Sequence, residues 1–396
     1  MLKEEKRRVL RVLRDGIANG TTHFADGIVR SPVDDFTSQE LLTQEQQVFF
    51  KDTPLFVGLT SDLPKSGNYK VETINDTSIL FVRDPNGRFR AFANVCRHRG
   101  AQVVPDGKGH AERFSCPFHA WTYNTEGRLI AVNRESSFGP VCKEEYPLVE
   151  LPALEKYGML WCKSSPGGKV DVDDCLGGLG EEMGAWGLDK MAHSSDQVID
   201  AEANWKLVLD TFGENYHFDV LHRNSLAPQI KGNLQTHDIF GMNYRMVFAY
   251  QNWERIVADI PNEENWPFFS LTLTVYFIYP NAILLVDYAG CDVLRMHPVE
   301  DSTCKSNTYH SWYLSPRFVE AHEEHGVKVN TDEKFHGFNS IIRNEDYLVA
   351  ESTQRSANSG AISHVLFGRN EPALHHYHNA HRRGLNRPAL EPIAAG

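Results

Sequence analysis

The sequence predicts an α+β protein built from two parts of different architecture. Short strand-like runs separated by turn residues fill much of the first half, which is typical of an all-β domain. The second half combines consecutive strand-like runs with flanking helical segments, which favours an antiparallel sheet covered by helices. The length of 396 residues agrees with two domains, each large enough to bury its own core.

The N-terminal fifty residues are mostly polar and predict two helical segments, Lys3–Asp15 and Leu41–Phe50. We expect this region, residues 1–50, to pack on the C-terminal domain. Its charged beginning, Met1-Leu-Lys-Glu-Glu-Lys-Arg-Arg, has no apolar signal core, so we expect a cytoplasmic protein.

The next region, residues 51–165, is predicted to be all β. Three strand-like runs begin at residues 68, 78 and 89, and Asp84-Pro-Asn-Gly between the last two is a strong hairpin signal. Ser164-Ser-Pro-Gly-Gly then has the composition of a linker and marks the end of this domain.

The remainder, residues 166–396, is predicted to be mixed. Ala203–His222 has apolar side chains at three- and four-residue spacing, which indicates a helix. Five strand-like segments follow, and two helical segments, Pro316–His325 and Thr331–Ala357, come after them. The strand-like segments are Tyr244–Tyr250, Leu271–Tyr279, Ile283–Tyr288, Val293–His297 and Asn307–Leu314.

The charge balance argues against nucleic acid as a partner. There are 40 Lys and Arg residues against 52 Asp and Glu, a net charge of −12, whereas phosphate binding needs a basic surface. The most apolar stretch, Leu271 to Val286, is interrupted by Pro280 and Asn281 and is too short to cross a bilayer. We therefore expect neither nucleic acid nor a membrane as a partner.

Two Cys–His pairs form the strongest local pattern. Cys96-Arg97-His98 is followed after seventeen residues by Cys116-Pro117-Phe118-His119. Two thiolates and two imidazoles are the ligands of a Rieske-type [2Fe–2S] cluster, with both cysteines on one iron and both histidines on the other. Zinc is the alternative, but common zinc motifs pair Cys with Cys and His with His. We therefore predict a [2Fe–2S] cluster on Cys96, His98, Cys116 and His119, and an exposed position for the nearby His110.

A second group, His217 and His222, lies in the other half of the chain. Two histidines and a carboxylate on one face of an iron leave positions open for dioxygen and a substrate. On an ideal α-helix, two side chains five positions apart point in directions that differ by about 140°. The helix must therefore loosen here or form a π-type turn. Such a pair can also be ordinary core or surface residues, but beside the first motif it indicates a second metal site.

The two motifs together resemble those of Rieske non-heme iron oxygenases, in particular the alpha (large, catalytic) subunits of the aromatic-ring-hydroxylating dioxygenase superfamily. Asn204-Trp205-Lys206 and Glu214-x2-His217-x4-His222 resemble the start of their catalytic domain. The quinol-oxidising Rieske proteins carry two extra cysteines beside the ligands, where this chain has Ala101 and Phe118. The resemblance covers nearly the whole chain and implies a catalytic domain of the helix-grip type.

The resemblance also implies a third iron ligand from a late helix. Asp346 fits that place, with Glu345 and Glu351 as alternatives. The implied cofactors are thus the Rieske [2Fe–2S] cluster and a mononuclear Fe2+ held by His217, His222 and Asp346.

Glu214 has a different implied role, that of a bridge for electrons between subunits. In the family, the matching carboxylate links a Rieske histidine of one subunit to an iron-binding histidine of its neighbour, since the two centres of one subunit are too far apart. The implied path runs from His119 of one chain to Glu214 and His217 of the next, in a homotrimer. Many aromatic-ring dioxygenases have aspartate here, whereas relatives that act on quaternary ammonium compounds can have glutamate.

The implied activity is hydroxylation of an organic substrate with dioxygen, as a dioxygenase or a monooxygenase. NAD(P)H would supply electrons only indirectly, through a separate ferredoxin or reductase, because no Gly-rich nucleotide-binding motif is found in this sequence. An aromatic substrate is favoured by family frequency, and demethylation or hydroxylation of a quaternary ammonium compound is the alternative. A Rieske electron carrier without catalytic iron is an alternative of another class, and the presence of a small β subunit stays open.

Other residues receive structural predictions. Four C-terminal histidines are expected on a polar, exposed helix, and five cysteines without ligand spacing are expected to be small buried side chains. Asp210 and Asp219 flank the second site as supporting or solvated groups. The histidines are His375, His376, His378 and His381; the cysteines are Cys142, Cys162, Cys175, Cys291 and Cys304.

Overall fold

The structure of the protein is a computed structural model that describes residues 1–324 and 331–394. The chain forms two compact units. One consists of Gln46–Val172, and the other combines Met1–Glu45 with Asp173–Gly396. Both contain antiparallel sheets and the second also contains most of the helices, so the predicted α+β class is confirmed.

The unit Gln46–Val172 is built almost entirely from short strands. The predicted hairpin is present: Gly87 donates its N–H to the carbonyl of Asp84 at 3.0 Å and has a φ of +77°, which favours glycine. A five-stranded sheet has the order Glu150–Leu151, Phe89–Ala93, Thr77–Arg83, Asn68–Ile74 and Gly107–His110. Two three-stranded sheets have the orders Ala153–Lys156, Met159–Cys162, Leu55–Leu59 and Arg113–Ser115, Thr122–Asn124, Leu129–Ala131.

The larger unit is organised around a seven-stranded antiparallel sheet. Its order is Ala192–Ala201, Ser306–Leu314, Gly290–Pro298, Ala282–Val286, Thr272–Ile278, Asn243–Tyr250 and Ile230–Phe240. The five strands predicted from sequence form its five consecutive middle strands, whereas the two edge strands, Ala192–Ala201 and Ile230–Phe240, were not predicted. Both of these strands are largely polar, so a period-two apolar pattern does not reveal them.

The larger unit also contains helices, which come before, between and after the strands of this sheet in the sequence. The longer ones are Lys3–Asn19, Gln39–Glu45, Gly180–Trp186, Pro316–Glu324, Thr331–Ile341, Tyr347–Asn358 and Pro372–Gly384. The shorter ones are Asp34–Thr37, Val172–Leu176, Trp205–Asp210, Trp253–Ala258 and Phe268–Leu271, and a small sheet contains Gly27–Pro32, His364–Phe367 and Ile393–Ala394. No helix in the described ranges has the length and apolar composition that a bilayer crossing needs.

Two of the predicted helices have a different extent in the structure. The first ends at Asp210, not at His222, and turns follow as far as Gln229. The second, predicted over Thr331–Ala357, is interrupted by a π-helical turn at Ile342–Asp346. The C-terminal residue of the predicted segment Pro316–His325 lies outside the described residues.

The early end of the first helix has a physical cause in the side chains that follow it. Asn215 donates its amide to the carbonyls of Lys231 and Leu234 at 3.1 and 3.0 Å, and Glu214 accepts hydrogen bonds from the backbone N–H groups of Tyr216 and His217. Side chains that hydrogen-bond to backbone groups in this way compete with helix continuation.

The prediction of an exposed C-terminal helix was wrong. His375, His378 and His381 are buried in the helix Pro372–Gly384, and His376 is half-buried. Nε2 of His381 lies 2.7 Å from the carbonyl oxygen of Pro280, so hydrogen bonding offsets the burial of this polar ring. The cysteine prediction holds for Cys162 and Cys291, whereas Cys142 is exposed and the other two are half-buried.

A buried ion pair joins the N-terminal region to the helix Trp205–Asp210. The Glu45 carboxylate contacts Nζ of Lys206 and accepts a hydrogen bond from Nε1 of Trp205 at 3.0 Å. Only 3% of the Lys206 side chain and 2% of the Glu45 side chain are exposed, so neither charge is compensated by water.

We expect Lys206→Met to lower the free energy of unfolding by about 3–5 kcal/mol, because it leaves the buried Glu45 carboxylate without a counter-charge. The double variant Glu45→Gln/Lys206→Met should recover most of this loss. Urea unfolding of the three proteins measures the effect. A Lys206→Met variant within about 1 kcal/mol of the parent protein would contradict it.

Candidate metal centres

The two predicted Cys–His loops have the same backbone conformation. The N–H of Cys96 donates to the carbonyl of Ala101 at 2.8 Å, and the N–H of Gly100 donates back to the Cys96 carbonyl at 2.9 Å. In the second loop, the N–H of Cys116 donates to the carbonyl of Trp121, and the N–H of Ala120 donates back to the Cys116 carbonyl, both at 2.9 Å. Gly100 and Ala120 also share a positive φ, of +78° and +56°. Each loop is therefore a rigid turn that presents one thiol and one imidazole.

The structure brings the two pairs together in the β unit. The thiols of Cys96 and Cys116 lie in one buried core cluster, and the ring centroids of His98 and His119 are 4.8 Å apart. The His98 ring also stacks on Trp121 at 4.9 Å between centroids, with 8° between the ring planes. His110 is exposed, as predicted, and lies at the sheet edge.

The chemistry of these groups fits a cluster. Nδ1 of His119 is buried and has no hydrogen-bond partner in the part of the chain that the structure describes, which is costly unless a ligand occupies that position. Burial and the charges of His119 and Arg99 lower the pKa of His98, so its ring is neutral as a metal ligand requires. Burial also raises the pKa of Cys116, so a bound metal is needed to hold this thiol as a thiolate.

Tyr123 is a supporting residue that sequence reasoning missed. Its fully buried hydroxyl accepts a hydrogen bond from the N–H of Arg97 at 3.0 Å and lies 3.5 Å from Sγ of Cys96. With a metal-bound thiolate at Cys96, the hydroxyl hydrogen is directed to the sulfur. Hydrogen bonds to cluster sulfurs are one of the terms that set a reduction potential.

We expect Tyr123→Phe to lower the reduction potential of a cluster at this site, because the reduced, more negative cluster gains more from the hydrogen bond. A difference of about 1 kcal/mol corresponds to roughly 40 mV for one electron. Redox titration followed by visible absorption measures the shift. Tyr69→Phe, which removes a hydroxyl from the same core cluster, is the control, and equal potentials for the two variants would contradict the assignment.

In the larger unit, His217, His222 and Asp346 converge on one point. Each can offer one ligand atom, and the three atoms lie within 4.8 Å of one another. Oδ1 of Asp346 is 3.2 Å from Nε2 of His222 and 3.5 Å from Nε2 of His217, and the two ring centroids are 4.9 Å apart. Nε2 of His217 is buried without a hydrogen-bond partner among the described residues, so this set fits a metal ion.

The opposite nitrogen of each ring is fixed by a second carboxylate. Nδ1 of His217 contacts Oε1 of Glu214, and Nδ1 of His222 lies 2.8 Å from Oε2 of Glu345. A carboxylate at one ring nitrogen selects the tautomer that leaves the other nitrogen free for a metal. Glu345, an alternative ligand from sequence, therefore faces the outer side of His222.

The π-helical turn Ile342–Asp346 explains how two consecutive carboxylates reach one imidazole. Asp346 and Glu345 approach opposite nitrogens of the His222 ring, and a wider turn changes the direction in which successive side chains point. Glu351, the remaining alternative, accepts from the N–H of Glu202 at 3.1 Å, away from the two rings.

The pKa values of the three groups reflect their mutual contacts. Burial opposes ionisation of Asp346, but the adjacent imidazoles of His217 and His222 hold its pKa below the usual range. Burial likewise disfavours a charged His217, yet Asp346 and Glu214 raise its pKa to about 9. The pocket thus has the negative potential that stabilises a cation, whether a proton or a divalent metal.

Two cavities border this site. An apolar one of about 80 Å3 has Phe218, Phe248, Leu273 and Leu285 among its lining residues and reaches His222. The other, of about 260 Å3, has Asp210, Glu214, His217 and Glu371 in its wall. Asp210 in turn lies 2.9 Å from Nε2 of the buried His378, so it supports the C-terminal helix and is not merely solvated.

Comparison with known families agrees with this arrangement. The model for the ring hydroxylating alpha subunit (catalytic domain) matches residues 188–386, which is half of the chain, and the model for the Rieske [2Fe-2S] domain matches residues 53–152. The chain belongs to the Rieske oxygenase alpha subunits. The predicted family is therefore confirmed, and with it the two implied cofactors, a Rieske cluster and a mononuclear iron.

Several individual Rieske oxygenases are also similar to this chain in sequence or in fold. The glycine betaine monooxygenase oxygenase subunit of Chromohalobacter salexigens is 30% identical over 200 residues, 50% of this chain and 44% of that relative, so the match spans less than half of its length. The carnitine monooxygenase oxygenase subunit of Acinetobacter baumannii is 23% identical over 82% of this chain and 84% of its own. A quaternary ammonium Rieske monooxygenase, CntA, solved with L-carnitine has the same fold, with a TM-score of 0.74 at 19% identity over 92% of this chain and 97% of that one.

Proposed function

We propose that this Rieske oxygenase alpha subunit is the terminal oxygenase component of a system that hydroxylates an organic substrate with dioxygen. When bound, a ferrous ion activates dioxygen at the mononuclear site and a Rieske cluster supplies it with electrons. The observation that supports this best is the convergence of His217, His222 and Asp346 in a chain that also carries a Cys2His2 cluster motif.

The roles of the site residues follow from their contacts. We assign His217, His222 and Asp346 as iron ligands, a 2-His-1-carboxylate set that occupies one face of the metal. Glu214 and Glu345 hold the two rings in the orientation that directs Nε2 inward. The apolar wall beside His222 excludes water and receives the carbon to be hydroxylated.

Glu214 is also the proposed bridge between subunits. One of its oxygens contacts His217, and the residue lines an acidic cavity whose rim includes the exposed Val349 and Leu366. A bridging carboxylate would accept an N–H from His119 of a neighbouring copy as well. This requires more than one copy of the chain, and we propose the homotrimer of the resemblance.

The surface of the β unit has complementary features. Arg97 and Arg99 are exposed on either side of His98, and Phe118 is exposed beside His119. Two arginines and an apolar side chain suit docking against the acidic cavity and its apolar rim in a second copy. Electrons would originate from NAD(P)H and arrive through a separate ferredoxin or reductase, and we place the system in the cytoplasm.

Metal analysis of the purified protein tests the proposal against the electron-carrier alternative. An oxygenase should hold about three irons per chain and a pure Rieske carrier about two. With a reductase and NAD(P)H, the oxygenase should also consume oxygen in a substrate-dependent manner. Two irons per chain after reconstitution with excess ferrous ion, and no substrate-dependent oxygen use, would overturn the proposal.

A further inference from the structure

A larger cavity, of about 630 Å3, opens further along the same strands as the apolar cavity. Tyr250 lines it two residues beyond Phe248, and Asp287 lines it two residues beyond Leu285. Alternate residues of a strand point to the same face, and two residues span about 7 Å. The two cavities therefore lie next to each other along these strands, with Asp287 in the larger one and the ligands His222 and Asp346 in the apolar one.

Asp287 is a partly buried carboxylate that forms no ion pair with the described part of the chain. Its Oδ1 accepts hydrogen bonds from the N–H groups of Ala289 and Gly290 at 2.7 and 3.0 Å. Its Oδ2 receives none from the described residues, and no lysine or arginine in the described ranges forms an ion pair with this group. Burial, with the charge of Asp292, raises the pKa of Asp287 to about 6, whereas the backbone N–H groups of Gly290 and Ala289 and the charge of Lys334 act in the opposite sense.

Aromatic side chains surround this carboxylate. Tyr250 lines the same cavity as Asp287, and burial together with the charge of Asp287 raises the pKa of Tyr250. Tyr288 is 39% exposed at the cavity edge. Phe269 also lines the cavity, but Arg317 already lies 4.7 Å from its ring centroid. Aromatic faces beside a carboxylate are a favourable environment for an organic ammonium group.

The charged side chains that line the two cavities also favour a cationic substrate. Among the described residues, no lysine or arginine lines either the apolar cavity or the larger one, whereas Glu214, Asp287 and Asp346 do. An aromatic acid would find no lysine or arginine among these lining residues, so we expect selection against anionic substrates.

We propose that Asp287, Tyr250 and Tyr288 form a subsite for the ammonium group of a cationic substrate. This inference rests on the proposed oxygenase function and favours the amine alternative over the aromatic substrate suggested by family frequency. The neutral polar side chains of Gln229 and Asn252 line the same cavity and can contact a hydroxyl or second amine.

Anaerobic titration calorimetry on the full-length protein tests the subsite without turnover. Choline and its uncharged isostere 3,3-dimethylbutan-1-ol have the same shape, so their comparison isolates the charge. We expect choline to bind at least about tenfold more tightly, and Asp287→Asn to remove that preference while it keeps the Oδ1 acceptor for Ala289 and Gly290. Asp259→Asn, an exposed acid on the helix end, is the matched control and should change nothing.

A second ligand and a second variant extend the binding experiment. Putrescine in place of choline tells a primary from a quaternary ammonium, and Tyr288→Ala should weaken choline without affecting the isostere. Equal affinities for choline and the isostere, or tighter binding of benzoate than of both amines, would overturn the subsite. Because these are binding measurements, the subsite can fail while the protein still holds three irons and consumes oxygen, and it can stand if that oxygenase test fails.

Discussion

His217→Ala should remove the mononuclear iron and leave the Rieske cluster in place. The variant deletes one of three groups that meet in the larger unit, whereas all four cluster residues belong to the β unit Gln46–Val172. With a single histidine and Asp346 left, iron affinity should fall by orders of magnitude, and substrate-dependent oxygen use should fall at least about a thousandfold.

The measurement combines iron analysis with visible absorption. We expect the iron content to drop by about one per chain while the cluster spectrum is unchanged. His336→Ala, an exposed histidine of the same unit, is the control and should keep its iron and activity. A His217→Ala protein with a bleached cluster, or one that retains both its iron and its turnover, would contradict the division into two separate sites.

The residues of the two proposed metal centres could be recognised in the sequence to different degrees. Both Cys–His pairs could be assigned because each occupies a short turn in which local hydrogen bonds fix the ligand direction, as at Cys96 and Cys116. The iron site depends on residues more than 120 positions apart, such as His222 and Asp346. Spacing alone could not choose between Asp346 and Glu345, since the π-helical turn decides which nitrogen each one approaches.

The fold shows the same division between local and long-range signals. Apolar strands and the Asp84-Pro-Asn-Gly turn were found because their signals are local. The buried histidines of the last helix were misassigned, because their burial depends on distant acceptors, such as Asp210 for His378 and Pro280 for His381. A polar composition cannot reveal such partners before the fold is known.

Glu214→Gln should keep both metals and still lower substrate-dependent oxygen consumption at least about a hundredfold. Glutamine is isosteric and retains one oxygen acceptor, which suffices either for Nδ1 of His217 or for the N–H groups of Tyr216 and His217. It has no second oxygen for an imidazole of another chain and no negative charge to stabilise a positively polarised ring. Electron delivery should therefore suffer more than iron binding.

Glu345→Gln is a matched control, because Glu345 has the same relation to His222 that Glu214 has to His217 but is not assigned to a bridge. Both variants replace one carboxylate partner of an iron-binding ring by an isosteric amide, so any loss of iron should be small and similar in the two. With iron restored, the rate at which a pre-reduced cluster is reoxidised in the presence of oxygen and substrate should fall steeply only in Glu214→Gln. If both variants slow it equally, Glu214 merely orients His217, and the electrons reach the iron by another route.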